Sequence, residues 1–162
     1  MIVIADTGPL RYLILIEHTH VLPALYRRVL IPPAVSDELN RQQTPPLVRA
    51  WMAQRPLWLQ VRAPRGSMTG LAPNLGMGER EAIALAEELT ADAVLLDDWA
   101  ARVEAQRRHI AVIGTLRVLV DAAEKGFADL RLALDRLQST NFRARPELIE
   151  ALLKSDAQRK SK

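Results

Sequence analysis

The chain has no cysteine. That excludes disulfides, thiolate zinc sites and thiol nucleophiles together, and it fits a reducing, cytoplasmic setting. Aromatic residues make up only 4% of the sequence, so the core has to be built from Leu, Ile, Val and Ala. The same scarcity leaves no evident run of rings for stacking bases. Histidine occurs only at positions 18, 20 and 109. None of these has the spacing of a metal site, and no Ser-His-Asp pattern accompanies them. There is no glycine-rich phosphate loop followed by Lys. No apolar run approaches the roughly 18 residues of a membrane span, and no basic leader precedes the first apolar run. These absences together predict a soluble, intracellular protein without membrane contact.

What is present is an alternation of short apolar runs and helix-like stretches. A chain of 162 residues is of single-domain size. Met1–Ala5, Val29–Ile31, Ala93–Leu96 and Ile110–Ile113 read as strands, with Leu57–Val61 a further candidate. Their unbroken hydrophobicity suits strands covered on both faces. Asp6-Thr7-Gly8-Pro9 reads as a turn. Helices are expected over 10–16, 21–28, 34–40, 47–54, 78–89, 98–108 and 115–123. Residues 62–77 form the best loop candidate, rich in Pro, Gly, Ser and Asn. Beyond Gly126 the pattern becomes all-helical, over 127–138 and 146–154, and the polar tail 155–162 is expected to fray. The pattern predicts a three-layer α/β/α sandwich around a mostly parallel sheet. Residues 1–126 would form the main unit, and 127–162 a helical extension packed on it.

Acidic residues recur where the apolar runs end. Asp6 follows the first strand, Asp37 and Glu38 follow the second, and Glu79 and Glu81 open the helix at 78–89. Asp97 and Asp98 follow AVLL. Each has an ordinary structural use. Asp6 suits a helix N-cap or turn, and Glu79 and Glu81 suit a first helical turn. One residue of the Asp97–Asp98 pair could cap a helix while Arg102 pairs with the other. Asp37 and Glu38 diverge by about 100° on a helix, so only one can face a given pocket. Taken together, however, the acids lie at one topological end of successive βα units, where parallel sheets place their sites. Clustered carboxylates repel unless a cation lies among them, and hard oxygen ligands suit Mg²⁺ or Mn²⁺. Such a set can hold one or two ions for phosphoryl chemistry without His or Cys. The two glycines of Gly76-Met77-Gly78 would let backbone approach a ligand closely.

IVIADTGPL, VSDEL, GMGEREAIALA, AVLLDDWAAR and IAVIGTLRVL, in that order, resemble the PIN-domain family over residues 1–126. The likeness is to its toxin-like branch, similar to the VapC-type toxins of type II toxin–antitoxin pairs. The resemblance implies an α/β/α fold and a Mg²⁺- or Mn²⁺-dependent endoribonuclease with an acidic site. Carried over by position, its acids fall on Asp6, Glu38, Glu79 and either Asp97 or Asp98, with Glu81 competing for the third place. Thr7 and Glu81 are then expected as supporting or alternative groups. The third position is often Asp in the family, so Glu79 changes the reach by one methylene. The same likeness implies an RNA substrate, a small antitoxin partner and a homodimer. A catalytically inactive PIN-like module that binds protein or RNA is the competing reading.

The formal charge is +3 with a pI near 9.7, which permits a polyanionic partner without requiring one. If RNA is the substrate, Arg11, Arg80, Arg102, Arg107 and Arg108 are the candidate phosphate contacts. Arg143, Arg145, Lys154 and the basic tail are expected to serve solubility or loose polyanion contact.

Overall fold

Four of the expected apolar runs and the candidate at 57–61 become the five strands of one all-parallel sheet. The protein is described by a computed structural model covering residues 1–162. The strands are β1 (Ile2–Ala5), β2 (Arg28–Ile31), β3 (Leu59–Val61), β4 (Ala93–Leu95) and β5 (Val112–Ile113). Their order across the sheet is β3-β2-β1-β4-β5. Val3 lies opposite Val29 on one side and Ala93 on the other, so β1 is the central strand. The chain steps outward from β1 to β2 and β3, then crosses back to β4. The order therefore reverses between β1 and β4, and a crevice opens there at the carboxyl ends of the strands.

Nine helices connect and cover the strands: α1 (Thr7–Leu15), α2 (Val21–Leu25), α3 (Pro33–Leu39), α4 (Pro46–Ala53), α5 (Met77–Leu89), α6 (Trp99–Arg107), α7 (Thr115–Glu124), α8 (Leu130–Gln138) and α9 (Pro146–Lys160). Alternation along each strand splits the core into two layers. Val3, Ala5, Val29, Ile31, Ala93 and Leu95 face one side, with side chains of α1, α4, α7, α8 and α9. Ile4, Leu30 and Val94 face the other, against α5 and α6. The result is an α/β/α sandwich. No helix is long and apolar enough to cross a membrane.

Several boundaries differ from the sequence reading. The Asp6–Pro9 turn is absent, because α1 begins at Thr7, directly after the strand. The helix expected over 21–28 stops at Leu25, and the chain is already extended at Arg28. The helix after Gly126 starts only at Leu130, capped by the Asp129 carboxylate on the Leu132 N–H at 3.1 Å. Gly126 itself has φ +79 and lets α7 end in a left-handed residue. The tail does not fray. Asp156 pairs with Arg159 and Lys160 at 2.8 and 3.0 Å, and Arg159 donates to the Ala123 carbonyl at the end of α7. These contacts carry α9 on to Lys160.

The C-terminal helices are built into the main core. Leu130, Ala133, Leu134, Leu137 and Ile149 share one buried cluster with strand residues and with Val118 and Leu119 of α7. Leu134 is fully buried there. Leu134→Ala is expected to cost about 2–5 kcal/mol, and calorimetry should show one lowered transition. Two separate transitions would mean that the extension unfolds independently.

Candidate active site

The loops leaving β1, β2 and β4, together with the start of α5, bring acids to the reversal point of the sheet. Asp6 is the hub. Its N–H donates to the Leu95 carbonyl at 3.0 Å, which ties it to the neighbouring strand. It occupies the N-cap position of α1, yet its side chain makes no capping bond. The residue is only 6% exposed, and its Oδ1 is buried with no hydrogen-bond partner. Burial raises its pKa from 3.8 to about 7, partly opposed by the Thr7 backbone N–H. The charges of Glu79, Glu38 and Asp97 raise it further. Those three carboxylates are thus electrostatic neighbours of Asp6.

Glu38 is held in place from two sides. The Thr7 hydroxyl donates to its Oε2, and the Gly78 N–H donates to Oε1 at 3.1 Å. A Cβ at position 78 would lie 2.8 Å from Oε1. The close backbone approach expected at these glycines therefore serves Glu38 and needs no external ligand. Asp37 is exposed, so Glu38 is the member of that pair that turns inward. Glu79 is half-buried, and burial raises its pKa, with Asp98 and Glu38 adding to the shift.

Asp97 is fixed by a residue that sequence reasoning passed over. Thr115 donates both its N–H, at 2.8 Å, and its hydroxyl to the Asp97 carboxylate. The available signal was position: Gly114-Thr115 follows β5 just as Asp6-Thr7 follows β1. Thr115 is fully buried, so its hydroxyl has little choice of partner.

Two expected ligands have other work. Glu81 accepts from the Ala34 N–H at 3.0 Å and caps the first turn of α3. Two helical steps, about 200° around α5, separate it from Glu79, so the two side chains point to opposite sides of the helix. Asp98 caps α6 through the Ala101 N–H at 3.1 Å, which removes one of its oxygens from the metal-ligand set expected for it. The alternative pairing with Arg102 does not form. The ion pairs of the chain involve Glu17, Glu87, Glu104, Asp121 and Asp156. Asp6, Glu38, Glu79, Asp97 and Asp98 have no Lys or Arg within salt-bridge distance. Their side chains do not stand close enough to form a closed ligand shell of three or more. An unpartnered buried oxygen and a set of hard, uncompensated anionic donors suit a hard divalent cation in kind.

The basic candidates also divide. Arg107 and Arg108 are taken by the buried Glu104, at 2.8 and 2.9 Å, and Arg108 reaches Glu87 as well. Those bonds hold the Glu104 pKa down at about 2. These two arginines brace α6 and are not free for phosphate. Arg11 lines an open cleft of about 580 Å³ beside Thr7 and Glu38, together with Arg41. Arg11 and Arg80 each have a buried Nε without a partner. Arg102 lines a second cleft, beside Asp97.

Comparison with known proteins follows this geometry. The family model DUF3368, described as PIN domain, matches residues 2–158. A PilT N-terminus domain protein from the hyperthermophilic archaeon Sulfolobus solfataricus has a similar structure, with a TM-score of 0.50 and 15% identity. The likeness covers 90% of this chain and all of that one. At that identity it speaks to the fold alone. No curated protein matches the sequence.

The pKa of Asp6 gives a sign-definite expectation. A carboxyl raised from 3.8 to about 7 favours its protonated form in the folded state. The stability gained by keeping that proton is complete below the unfolded value and is lost as pH rises through about 7. In chelator, Asp6→Asn should therefore stabilise the protein near pH 8, by at most roughly 4 kcal/mol. The gain should shrink steadily as pH falls toward about 4. A thermal-melting series that shows no such pH trend would place Asp6 in a more polar setting than the structure gives it.

Proposed function

The chain belongs to the PIN-domain family, and on that premise we propose that it is a divalent-metal-dependent endoribonuclease that hydrolyses RNA phosphodiester bonds. Nuclease-type hydrolysis goes with the family. The observation that carries the finer reading is Asp6. One of its oxygens is buried without a donor, and its neighbours are three further carboxylates with no compensating cation. That arrangement is costly unless a cation is held there during function.

Asp6, Glu79 and Asp97 would hold Mg²⁺ or Mn²⁺, with Glu38 the fourth acid. A bound divalent ion supplies Lewis acidity, lowering the pKa of water and offsetting phosphoryl charge. The protein's own contribution is positioning. Thr7 and Gly78 fix Glu38, and Thr115 fixes Asp97, so these acids lose little freedom when substrate arrives. Glu38, outside that ligand set, would be the acid to accept a proton from attacking water. Arg11 and Arg41 in the adjoining cleft, with Arg102 on the other side, are the candidate phosphate contacts. The resemblance to toxins supports a further step, in which the enzyme is a homodimeric cytoplasmic toxin restrained by a small antitoxin protein. A second reading, an inactive PIN-like binding module, draws support from the absence of a closed ligand shell.

Cleavage of RNA by the purified chain separates the two. With Mg²⁺ or Mn²⁺ the wild type should cut and Asp6→Asn should be at least about 100-fold slower. Millimolar divalent ion should raise the melting temperature of the wild type alone. If Asp6→Asn cuts as fast as wild type, the site is misassigned. If nothing cuts and calorimetry detects no ion binding, the inactive module is the better account.

Paired variants then resolve the neighbouring acids. Glu79→Gln should lose cleavage while being at least as stable as wild type in chelator. Glu81→Gln should keep cleavage and lose about 1 kcal/mol through its weakened cap on α3. Gly78→Ala should melt near wild type, because the group it displaces is the flexible end of Glu38, yet cleave more slowly. The opposite pattern for Glu79 and Glu81 would exchange their roles.

A further inference from the structure

The cleft on the β4 side of the acids has an unusual lining. It encloses about 620 Å³ between the start of α6, the start of α7 and the segment leading into α9. Asp97 is part of its lining, so the cleft adjoins the acidic cluster. Along it lie Trp99, Arg102, Phe142, Arg143 and Arg145. Sequence reading found no stacking surface because Trp99 and Phe142 are far apart in the chain. Folding α9 back across α7 brings them to one groove.

Trp99 is 77% exposed. The other two tryptophans pack beside one another, with ring centroids 6.0 Å apart, partly buried against the core. An indole left in water at the first residue of α6 contributes nothing to the core. Phe142 is steadied edge-on by Tyr12, with centroids 5.0 Å apart. Arg102, Arg143 and Arg145 take part in none of the ion pairs. Their charge is therefore available to a ligand, unlike that of Arg107 and Arg108. Three unpaired guanidinium groups call for a polyanion, and an exposed indole in the same cleft suits a planar ring. A duplex hides its ring faces, whereas a single strand can offer one.

We propose that this cleft is a binding subsite for single-stranded polynucleotide, in which a base stacks on Trp99 while Arg102, Arg143 and Arg145 hold the adjoining phosphates. The subsite rests on the nuclease reading for its orientation, since it leads a strand away from the acids on the Asp97 side. The cleft of Arg11 and Arg41 lies on the Glu38 side, so a strand can continue past the site in both directions. On this reading the helical extension is part of substrate binding, through the two arginines that precede α9.

Binding measured in chelator keeps the test independent of catalysis. The full chain is titrated with labelled single-stranded RNA and DNA of about ten nucleotides, with the RNA duplex, and with polyglutamate. The wild type should bind single strands with quenching of tryptophan emission and bind the duplex and polyglutamate more weakly. Trp99→Ala should weaken single-strand binding about tenfold and abolish the quench, and Trp99→Phe should retain most of the affinity. Arg143→Ala with Arg145→Ala should lower the slope of log affinity against log salt by about 1.4. Affinity of Trp99→Ala within about twofold of wild type overturns the subsite. So does tighter binding of polyglutamate, which would assign the cleft to an acidic protein segment, and so does a wild type that binds no single strand. A wild type that binds as expected but never cleaves defeats the nuclease reading alone. A wild type that cleaves while Trp99→Ala binds and cleaves equally well defeats the subsite alone.

Discussion

Asp6 leaves the central strand with one carboxylate oxygen sealed from water and no donor to meet it. An unmet buried acceptor costs on the order of 1–3 kcal/mol, and more when it is charged. The position follows from β1 having parallel neighbours on both sides, so the residue after it is walled in before its side chain can turn to solvent. Burial there pushes its pKa up to about 7, and the surrounding acids add to the shift. The fold accepts this cost at Asp6 while giving Glu38 and Asp97 donors of their own.

The pattern of satisfaction separates supporting groups from poised ones. Thr7 and Gly78 spend their donors on Glu38, and Thr115 spends both of its donors on Asp97. Glu81 and Asp98 each give one oxygen to a helix cap. What is left without a donor is one oxygen of Asp6, beside a half-buried Glu79 whose pKa is also raised by burial. Neutral hydroxyls and backbone N–H groups orient the acids without cancelling their charge. A lysine or arginine in their place would have removed the reason for a cation to bind.

Positive charge is arranged on a wider scale. The arginines nearest the buried Glu104 are locked against α6; Arg107 also reaches the Gly70 carbonyl in the loop before α5, and Arg108 reaches Glu87. Arg11, Arg41, Arg102, Arg143 and Arg145, which line the two clefts, take part in none of the ion pairs. The C-terminal helices take part in both layers of this organisation. They complete the core on one face of the sheet, and the segment entering α9 closes one wall of the cleft beside Asp97. Stability and the shape of that cleft are therefore coupled through the same thirty-odd residues, roughly 127–160.

Much of this was legible in the order of residue types. Unbroken apolar runs such as IVIA and AVLL can only be strands covered on both faces. The acids that follow them must then share one edge of a parallel sheet. Hydrophobic periodicity alone could not show which acids turn inward, because Glu79 and Glu81, or Asp97 and Asp98, differ by one or two steps of a helix whose exact start was undefined. The start of α3 near Glu81 and of α6 beside Asp98 decided those cases, by offering N–H groups that claimed the carboxylates. The ordered tail and the Trp99 cleft were invisible for a related reason. Arg159 meets Ala123, and Trp99 shares a groove with Phe142, only after α9 has packed across α7. Local sequence determined which segments are strands and which charges gather at their ends. Long-range packing decided which of those charges found partners and which were left to bind something else.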